Sequence, residues 1–240
     1  MFRRTAMALA AGLLLAPAAA RAGSLEVSPV TLELPAGTGS TVLTVTNRGP
    51  GRVAVQVRGF RWSQTATEDP LAPAPALLAS PPIFELAPNE AQTVRVLVRE
   101  PARGAEASYR LILDELPAPG TSSTVQFALR VSLPLFVAPP TSGAPDLRWR
   151  VDAAPGGRLS LVARNEGTRR DKLAEGAVAL PGVGQLRPQP LANAWILPGA
   201  ERRWALAPAR GDSRGAATAR LTARLETGAF DGSIPVQRAP

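Results

Sequence analysis

The side chains that could do chemistry in this chain are few in kind. Its 240 residues include no His and no Cys, which excludes a thiolate zinc site, an imidazole-centred triad, a cysteine nucleophile and disulfides. Lys172 is the only lysine. Asp114 and Glu115 are adjacent carboxylates, but neighbours on a strand point to opposite faces and cannot act as a catalytic pair. We therefore expect a protein that is not an enzyme and needs no metal or cofactor.

The first 22 residues have the pattern of a signal peptide. Arg3 and Arg4 form a positive region, Thr5 to Ala20 an apolar stretch, and Ala20-Arg21-Ala22 a small-x-small cleavage site, so we expect cleavage before Gly23 and export. No later segment is long enough to span a membrane as a helix. The remaining 24 basic and 19 acidic residues leave a net charge of +5, and the arginines are scattered. A nucleic-acid partner is therefore not expected.

The elements that must position any site read as short strands. The 25 prolines argue against long helices, and no helical periodicity persists in the mature chain. About seven strands at this spacing predict an immunoglobulin-like β-sandwich over residues 23–138, with a surface loop at Glu68–Pro82. The clearest segments are Leu25–Leu34 (kinked at Pro29), Thr41–Thr46, Val53–Trp62, Gln92–Arg99, Ser108–Leu116 and Thr124–Val137.

A second run of strands follows the stiff segment Ala138-Pro139-Pro140, which we interpret as a linker. Residues 139–240 then form a second, smaller β-sandwich, and the predicted fold class is all-β with two immunoglobulin-like domains. The strands predicted in this half are Leu147–Asp152, Arg158–Arg164, Gly176–Leu186, Trp195–Leu197, Glu201–Leu206, Ala216–Leu225 and Phe230–Gln237.

The strand from Thr124 to Leu135 carries the most informative pattern. Every second residue is bulky and apolar, so five such side chains share one face: Val125, Phe127, Leu129, Val131 and Leu133. One interpretation is a central strand whose apolar face belongs to the core. The other is an edge strand kept for pairing with a partner strand, which Pro134 favours because proline is tolerated mainly at sheet edges.

Several motifs occur together in a characteristic order along the chain. They are Val27-Ser28-Pro29-Val30, Thr44-Val45-Thr46-Asn47, Pro81–Pro88 before Gln92–Val96, Tyr109-Arg110-Leu111 leading into Asp114–Pro117, and the strand from Val125 to Phe136. With these motifs the mature chain resembles the periplasmic chaperones of the chaperone–usher pathway for pilus assembly. The resemblance covers the whole mature chain and is strongest from Leu25 to Pro139.

The resemblance implies a boomerang of two immunoglobulin-like domains that binds pilus or fimbrial subunits in the periplasm. Such subunits lack their last strand, and the chaperone lends its own until an outer-membrane usher receives the subunit. The donor residues implied here are Val125, Phe127, Leu129, Val131 and Leu133. No cofactor is implied. Whether the free protein associates with itself to cover its edge is left open.

One departure from the family concerns the anchor for the subunit's C-terminal carboxylate. The family places two basic residues there, and the matching positions in this chain are Thr31 and Pro134, which carry no charge. This departure makes the chain more similar to the archaic, spore-coat-like branch. Arg130 or Arg110 is the candidate replacement, although an arginine on a sandwich strand is more often a solvated outer-face residue.

The resemblance also implies an interdomain charge network formed by Arg95, Glu115 and Asp231, which would set the angle between the domains. Asp231-Gly232 is otherwise a plain hairpin turn, and Glu115 an exposed acid. The alternative function is a structural or adhesive surface protein similar to a pilus subunit. Subunits of that kind carry an N-terminal donor extension, whereas the alternating strand lies in the middle of this chain.

Overall fold

The computed structural model describes residues 25–100, 102–117, 128–190, 194–206 and 215–238. These residues form strands and no helix, so the all-β prediction is confirmed. The predicted signal peptide lies outside the described residues, as do Val125 and Phe127. The first domain contains β1 (Leu25–Ser28), β2 (Leu32–Leu34), β3 (Ser40–Asn47), β4 (Val53–Trp62), β5 (Leu71–Pro73), β6 (Leu77–Ser80), β7 (Ile83–Leu86), β8 (Ala91–Val98), β9 (Ala107–Leu116) and β10 (Arg130–Val137).

Two sheets enclose the core of the first domain. The smaller sheet has the order β1-β3-β8-β6, and the larger has the order β2-β10-β9-β4-β5, with β7 also pairing with β4. Along β4 the side chains of Val53, Val55 and Val57 are buried while the residues between them are partly exposed. This is the period of two that the sequence predicts, because successive side chains of a strand point to opposite faces.

The first strand of the chain changes sheets at the predicted kink. Before Pro29, β1 pairs antiparallel with β3, and beyond it β2 pairs parallel with β10. The parallel pairing is short, since it joins Leu32–Leu34 to Leu135–Val137 and extends no further along β10. Among the described residues, most of β10 therefore has β9 as its one neighbouring strand.

The loop predicted at Glu68–Pro82 is wrong for two of its segments. Residues Leu71–Pro73 and Leu77–Ser80 form strands β5 and β6, which pair with the ends of β4 and β8. Leu77 is buried in the core against Gly59, where a Cβ would lie 2.5 Å from the leucine side chain. Proline is tolerated in and around these strands because each lies at the edge of its sheet.

The second domain contains nine strands in the part of the chain that is described, and six of the seven predicted strands of this half agree with them closely. They are β11 (Leu147–Ala154), β12 (Arg158–Asn165), β13 (Asp171–Leu180), β14 (Gly184–Leu186), β15 (Pro188–Gln189), β16 (Trp195–Ile196), β17 (Glu201–Leu206), β18 (Thr218–Leu225) and β19 (Ala229–Arg238). Their order is β14-β13-β18-β19-β11-β12-β17-β15, with β16 also on β13.

One predicted strand of this domain is in fact a hairpin. The segment Gly176–Leu186 folds back between β13 and β14, where the N–H of Val183 donates to the carbonyl of Leu180 over 3.1 Å. Pro181 and Gly182 occupy the centre of this turn, and Gly182 has a φ of 75°. Pro followed by Gly is the sequence of a type II turn, which needs a positive φ at its third position.

A buried asparagine organises the turn that faces the first domain. Asn165 is fully buried, donates to the carbonyls of Arg169 and Ile196, and accepts the N–H of Gly167. A Cβ at Gly167 would lie 2.3 Å from the carbonyl oxygen of Ala144, so only glycine fits this turn. The turn holds residues 168–170 against the first domain.

The two domains have separate cores and share a small aromatic cluster. The first core ends at Val137 and the second begins at Trp149, on either side of the predicted linker. Between them Trp62 and Phe136 pack with Trp195, together with Leu197 and Ala200. The Phe136 ring lies 5.9 Å from that of Trp62 and 5.0 Å from that of Trp195. The end of β10 is therefore buried between the domains.

Candidate functional site

Strand β10 has an open side over most of its length. It pairs with β9 from Arg130 to Val137, whereas β2 covers its other side only from Leu135 to Val137. Within the described residues, Arg130–Pro134 therefore forms the edge of the larger sheet. An edge of this kind presents unpaired main-chain groups to another strand.

The main-chain groups on the open side follow from the pairing with β9. The N–H of Glu115 donates to the carbonyl of Leu129 over 2.9 Å, which makes these two residues a hydrogen-bonded pair. Because the main-chain groups of successive residues in a strand point in opposite directions, those of Arg130, Ser132 and Pro134 point toward the open side. Pro134 thus removes no bond from the pairing with β9, because its missing N–H would have pointed away from that strand.

The apolar face of β10 leaves the core gradually toward its N-terminal end. Leu135 and Leu133 are 0% and 4% exposed and belong to the core, whereas Val131 and Leu129 are only partly buried. Leu133, implied by the resemblance to be a donor residue, is therefore part of the core of the chain's own first domain. Among the described residues, Val131 and Leu129 are the side chains of this face that the core does not fully enclose.

Arg130, one candidate carboxylate anchor, is engaged by a neighbour on β9. Its Nε lies 2.5 Å from Oδ1 of Asp114, and Arg58 Nη2 lies 2.5 Å from Oδ2 of the same carboxylate. Burial alone would raise the pKa of Asp114, but the hydrogen bonds from Arg130 and Arg58 outweigh it and hold the pKa below its ordinary value. We call Arg58, Asp114 and Arg130 the outer-face clamp.

Arg110, the other candidate, lies directly across from Pro134 in the pairing of β10 with β9. Its guanidinium carbon stacks 3.7 Å from the ring centroid of Trp62, and the residue is 8% exposed. Burial lowers the pKa of Arg110, because desolvation disfavours the cation, while the charge of Asp69 opposes this and that of Arg202 adds to it. The register thus brings a cation next to the position where the family has one, although Thr31 and Pro134 carry none.

The structure places Arg95, Glu115 and Asp231 in three different surroundings. Arg95 is exposed on β8 between the core residues Val94 and Val96, so its side chain points away from the sandwich interior. Glu115 holds Leu129 at the end of β9, and Asp231 pairs with Arg220 of its own domain over 2.9 Å. These contacts each lie within one domain, and the interdomain network implied by the resemblance stays a prediction.

Other residues form ion pairs between the domains, and Arg170 is their centre. Its Nη1 lies 2.7 Å from Oε2 of Glu106, its Nη2 contacts Glu33, and its guanidinium carbon stacks 3.7 Å from the Phe136 ring centroid. Arg169 approaches the same Glu106 oxygen to 3.0 Å. Burial raises the pKa of Glu106, and the two arginines oppose this shift. A buried ion pair of this kind fixes geometry more than it adds stability.

The loop between β4 and β5 makes a second set of interdomain contacts. Gln64 donates to the carbonyl of Trp195 over 3.1 Å and accepts the N–H of Leu197 over 2.9 Å, as a neighbouring strand would. The N–H of Arg203 donates to the carbonyl of Ala66 over 2.8 Å, and Arg202 lies 3.4 Å from Asp69. Sequence reasoning missed Gln64 and Arg170, because their hydrogen-bonding partners across the domain interface lie 64 to 137 residues away and no local pattern marks them.

Two further observations concern the described residues. Their acidic side chains include no group of three that could hold a metal ion. They also include no helix of the length and apolarity needed to cross a membrane.

Comparisons with known proteins agree with this architecture. Residues 24–142 match the family of the pili and flagellar-assembly chaperones, at their PapD N-terminal domain. A chain in the CsuC–CsuE chaperone–tip adhesion subunit pre-assembly complex of Acinetobacter baumannii has a TM-score of 0.64 and 22% identity, covering 91% of this chain and 100% of that one. The YadV chaperone has a TM-score of 0.63 and 17% identity, with coverage of 89% and 100%.

A third solved structure, the Salmonella enterica SafA pilin in complex with the SafB chaperone, matches with a TM-score of 0.58 and 17% identity, covering 90% of this chain and 97% of that one. No curated protein sequence matches the chain. At these identities the solved structures establish the fold, and the family model identifies the family. Through residues 24–142, this chain belongs to the family of pili and flagellar-assembly chaperones.

Proposed function

We propose that this protein is a periplasmic chaperone of the archaic branch that binds incomplete pilus subunits by lending them a strand and delivers them to an outer-membrane usher. The observation that carries the proposal is the open edge of β10 from Arg130 to Pro134. This edge continues, toward the N terminus, into a segment with apolar residues at every second position. Main-chain pairing supplies affinity for many subunits, while the alternate side chains fill pockets.

The donor side chains in this proposal are Val125, Phe127 and Leu129. Each lies an even number of residues from Leu133 and Leu135, and side chains so spaced on a strand share one face. The sequence therefore predicts that they extend the apolar face of β10 beyond the point where the chaperone's own core ends. Val131 lies at the boundary, since it packs against the core while remaining partly exposed. Three such side chains offer roughly 5–9 kcal/mol on burial, before association costs are subtracted.

Co-expression with a pilus subunit tests the proposal. We expect the subunit to be recovered from the periplasm as a complex with a mature chain that begins at Gly23, and to be lost when the chaperone is absent. The reason is that an unpaired strand edge and an open apolar groove promote aggregation of the free subunit. Equal recovery of folded subunit with and without this protein would contradict the proposal.

The carboxylate anchor in this proposal is Arg110. It lies beside the open edge, it is desolvated, and Arg202 from the second domain adds positive charge at the same place. A carboxylate arriving there would add to the charge of Asp69 in favouring a cation whose charged form burial disfavours. Arg130 is less suited because its side chain is 67% exposed, and water screens the attraction between a carboxylate and an exposed cation.

Replacing Arg110 by methionine should weaken binding of a peptide that copies the subunit's C-terminal strand. We expect about a tenfold loss or more, because a charge-assisted hydrogen bond is removed. The amidated form of the peptide should bind parent and Arg110→Met equally. Arg61→Met is the matched control, since Arg61 also stacks on an aromatic ring, 5.0 Å from the centroid of Tyr109. An equal loss for the acid and amide peptides would exclude Arg110 as the anchor.

A further inference from the structure

The row that joins Arg130 to Asp114 is the last one in the ladder between β10 and β9, and beyond it the N–H of Glu115 donates to the carbonyl of Leu129. Deeper rows are held by the buried side chains of Leu133 and Leu135, and the deepest also by β2. The row of Arg130 and Asp114 has neither of these supports. The apolar side chains next to it are only partly buried, and among the described residues no strand pairs with the other side of β10 there. Some other contact must hold the point from which the donor segment extends.

The outer-face clamp lies at this row. Asp114 is central, with a side chain that is 13% exposed, and it receives Arg130 from β10 and Arg58 from β4. The carboxylate therefore ties together the three adjacent strands β10, β9 and β4. Exposed ion pairs contribute little on their own, but a carboxylate shared by two arginines and largely removed from water forms stronger hydrogen bonds.

The residue next to Asp114 adds a second contact on the other face. Glu115 donates its N–H to the carbonyl of Leu129, and its Oε2 lies 3.4 Å from the N–H of Leu129. The main chain at Leu129 is thus held directly by Glu115, and the strand beside it is held by the clamp. Both contacts act at the C-terminal end of the donor segment, one at Leu129 and the other at Arg130.

We propose that Asp114 is a positioning residue that grips Arg130 and Arg58, pins the base of the donor strand to β9, and so fixes the direction in which this strand leaves the sheet at Leu129. This inference rests on the proposed strand donation. Its effect is preorganisation: a strand that is already held loses less conformational freedom when a subunit binds. Without the clamp the last row should open while the rest of the sandwich stays folded.

Amide hydrogen exchange in the free protein tests this proposal without any subunit. In Asp114→Asn we expect the amide of Glu115 to exchange about tenfold faster, because its local opening is no longer opposed by the clamp. The amide of Leu111, deeper in the same strand, should keep its rate. Arg130→Ala should have a similar effect, and the double variant should add little, since both remove the same contact.

Asp231→Asn is the matched control, because it breaks the Arg220–Asp231 pair between β18 and β19 in the second domain. It should leave the Glu115 amide unchanged. Parental exchange of Glu115 in Asp114→Asn would overturn the proposal, and so would equal acceleration of Leu111, which would indicate general destabilisation. If the parent binds no subunit, strand donation fails, yet the exchange rates still decide whether the clamp holds the strand.

Discussion

Replacing Phe127 by aspartate should abolish the recovery of pilus subunits from the periplasm. Phe127 is the largest of the proposed donor side chains, and its burial in a subunit would contribute about 1.5–3 kcal/mol. Aspartate loses this contribution and also places an unpaired carboxylate in an apolar groove, which costs more than the lost contact. The measurement is the amount of subunit that co-purifies with the chaperone after co-expression.

Gln126→Asp is the matched control for this experiment. It introduces the same charge one residue away, where the alternation of a strand points the side chain to the opposite face. We expect this variant to retain most of the subunit. Strand donation through this face is wrong if Phe127→Asp recovers as much subunit as the parent, or if both variants lose it equally.

Replacing Arg170 by alanine should cause the largest loss of stability among the interdomain residues. The variant leaves Glu106, whose side chain is 0% exposed, paired with Arg169, and it removes the guanidinium stacked on Phe136. Removing one partner of a buried ion pair costs about 3 kcal/mol or more, because the other charge stays buried. The measurement is the free energy of unfolding in urea, supported by small-angle scattering for the arrangement of the domains.

Arg169→Ala is the comparison, because Arg169 is 32% exposed and should cost far less than Arg170. The pH dependence gives a second check. A carboxyl whose pKa is raised in the folded state binds its proton more readily there than in the unfolded state, so folding is favoured as the pH falls through that range. The loss of unfolding free energy caused by Arg170→Ala should therefore become smaller as the pH falls and Glu106 takes up a proton. Equal losses in both variants would show that Arg170 is not the centre of the interdomain contact.

The strands could be predicted because their pattern is local. In β4 and β12 apolar residues recur at short intervals, and a strand with one buried face requires such a recurrence. The turn at Pro181-Gly182 was missed because the apolar residues on both sides continue the pattern through it. Strands β5 and β6 were missed because proline-rich segments at sheet edges resemble loops.

The site could be predicted only in part. The alternation predicted the donor face, but it could not distinguish the residues that the chaperone's own core retains, since Leu133 and Leu129 are both leucines on the same face of the strand. Arg110 and Arg130 likewise appeared equivalent. Their difference arises from neighbours on other strands: Asp114 holds Arg130, whereas Trp62 and the second domain surround Arg110.

By itself the sequence determined that chemistry dependent on His or Cys is excluded. It also determined the all-β class, the two runs of strands along the chain and the apolar face of the strand that ends at the linker. These follow from residue types and from spacings of a few residues. The tertiary structure alone decided where β10 becomes an edge, which arginine lies beside Pro134, and that Arg170 and Gln64 join the domains. Each of these depends on which distant strands become neighbours, and pairing over such distances is set by the packing of whole sheets rather than by any local pattern.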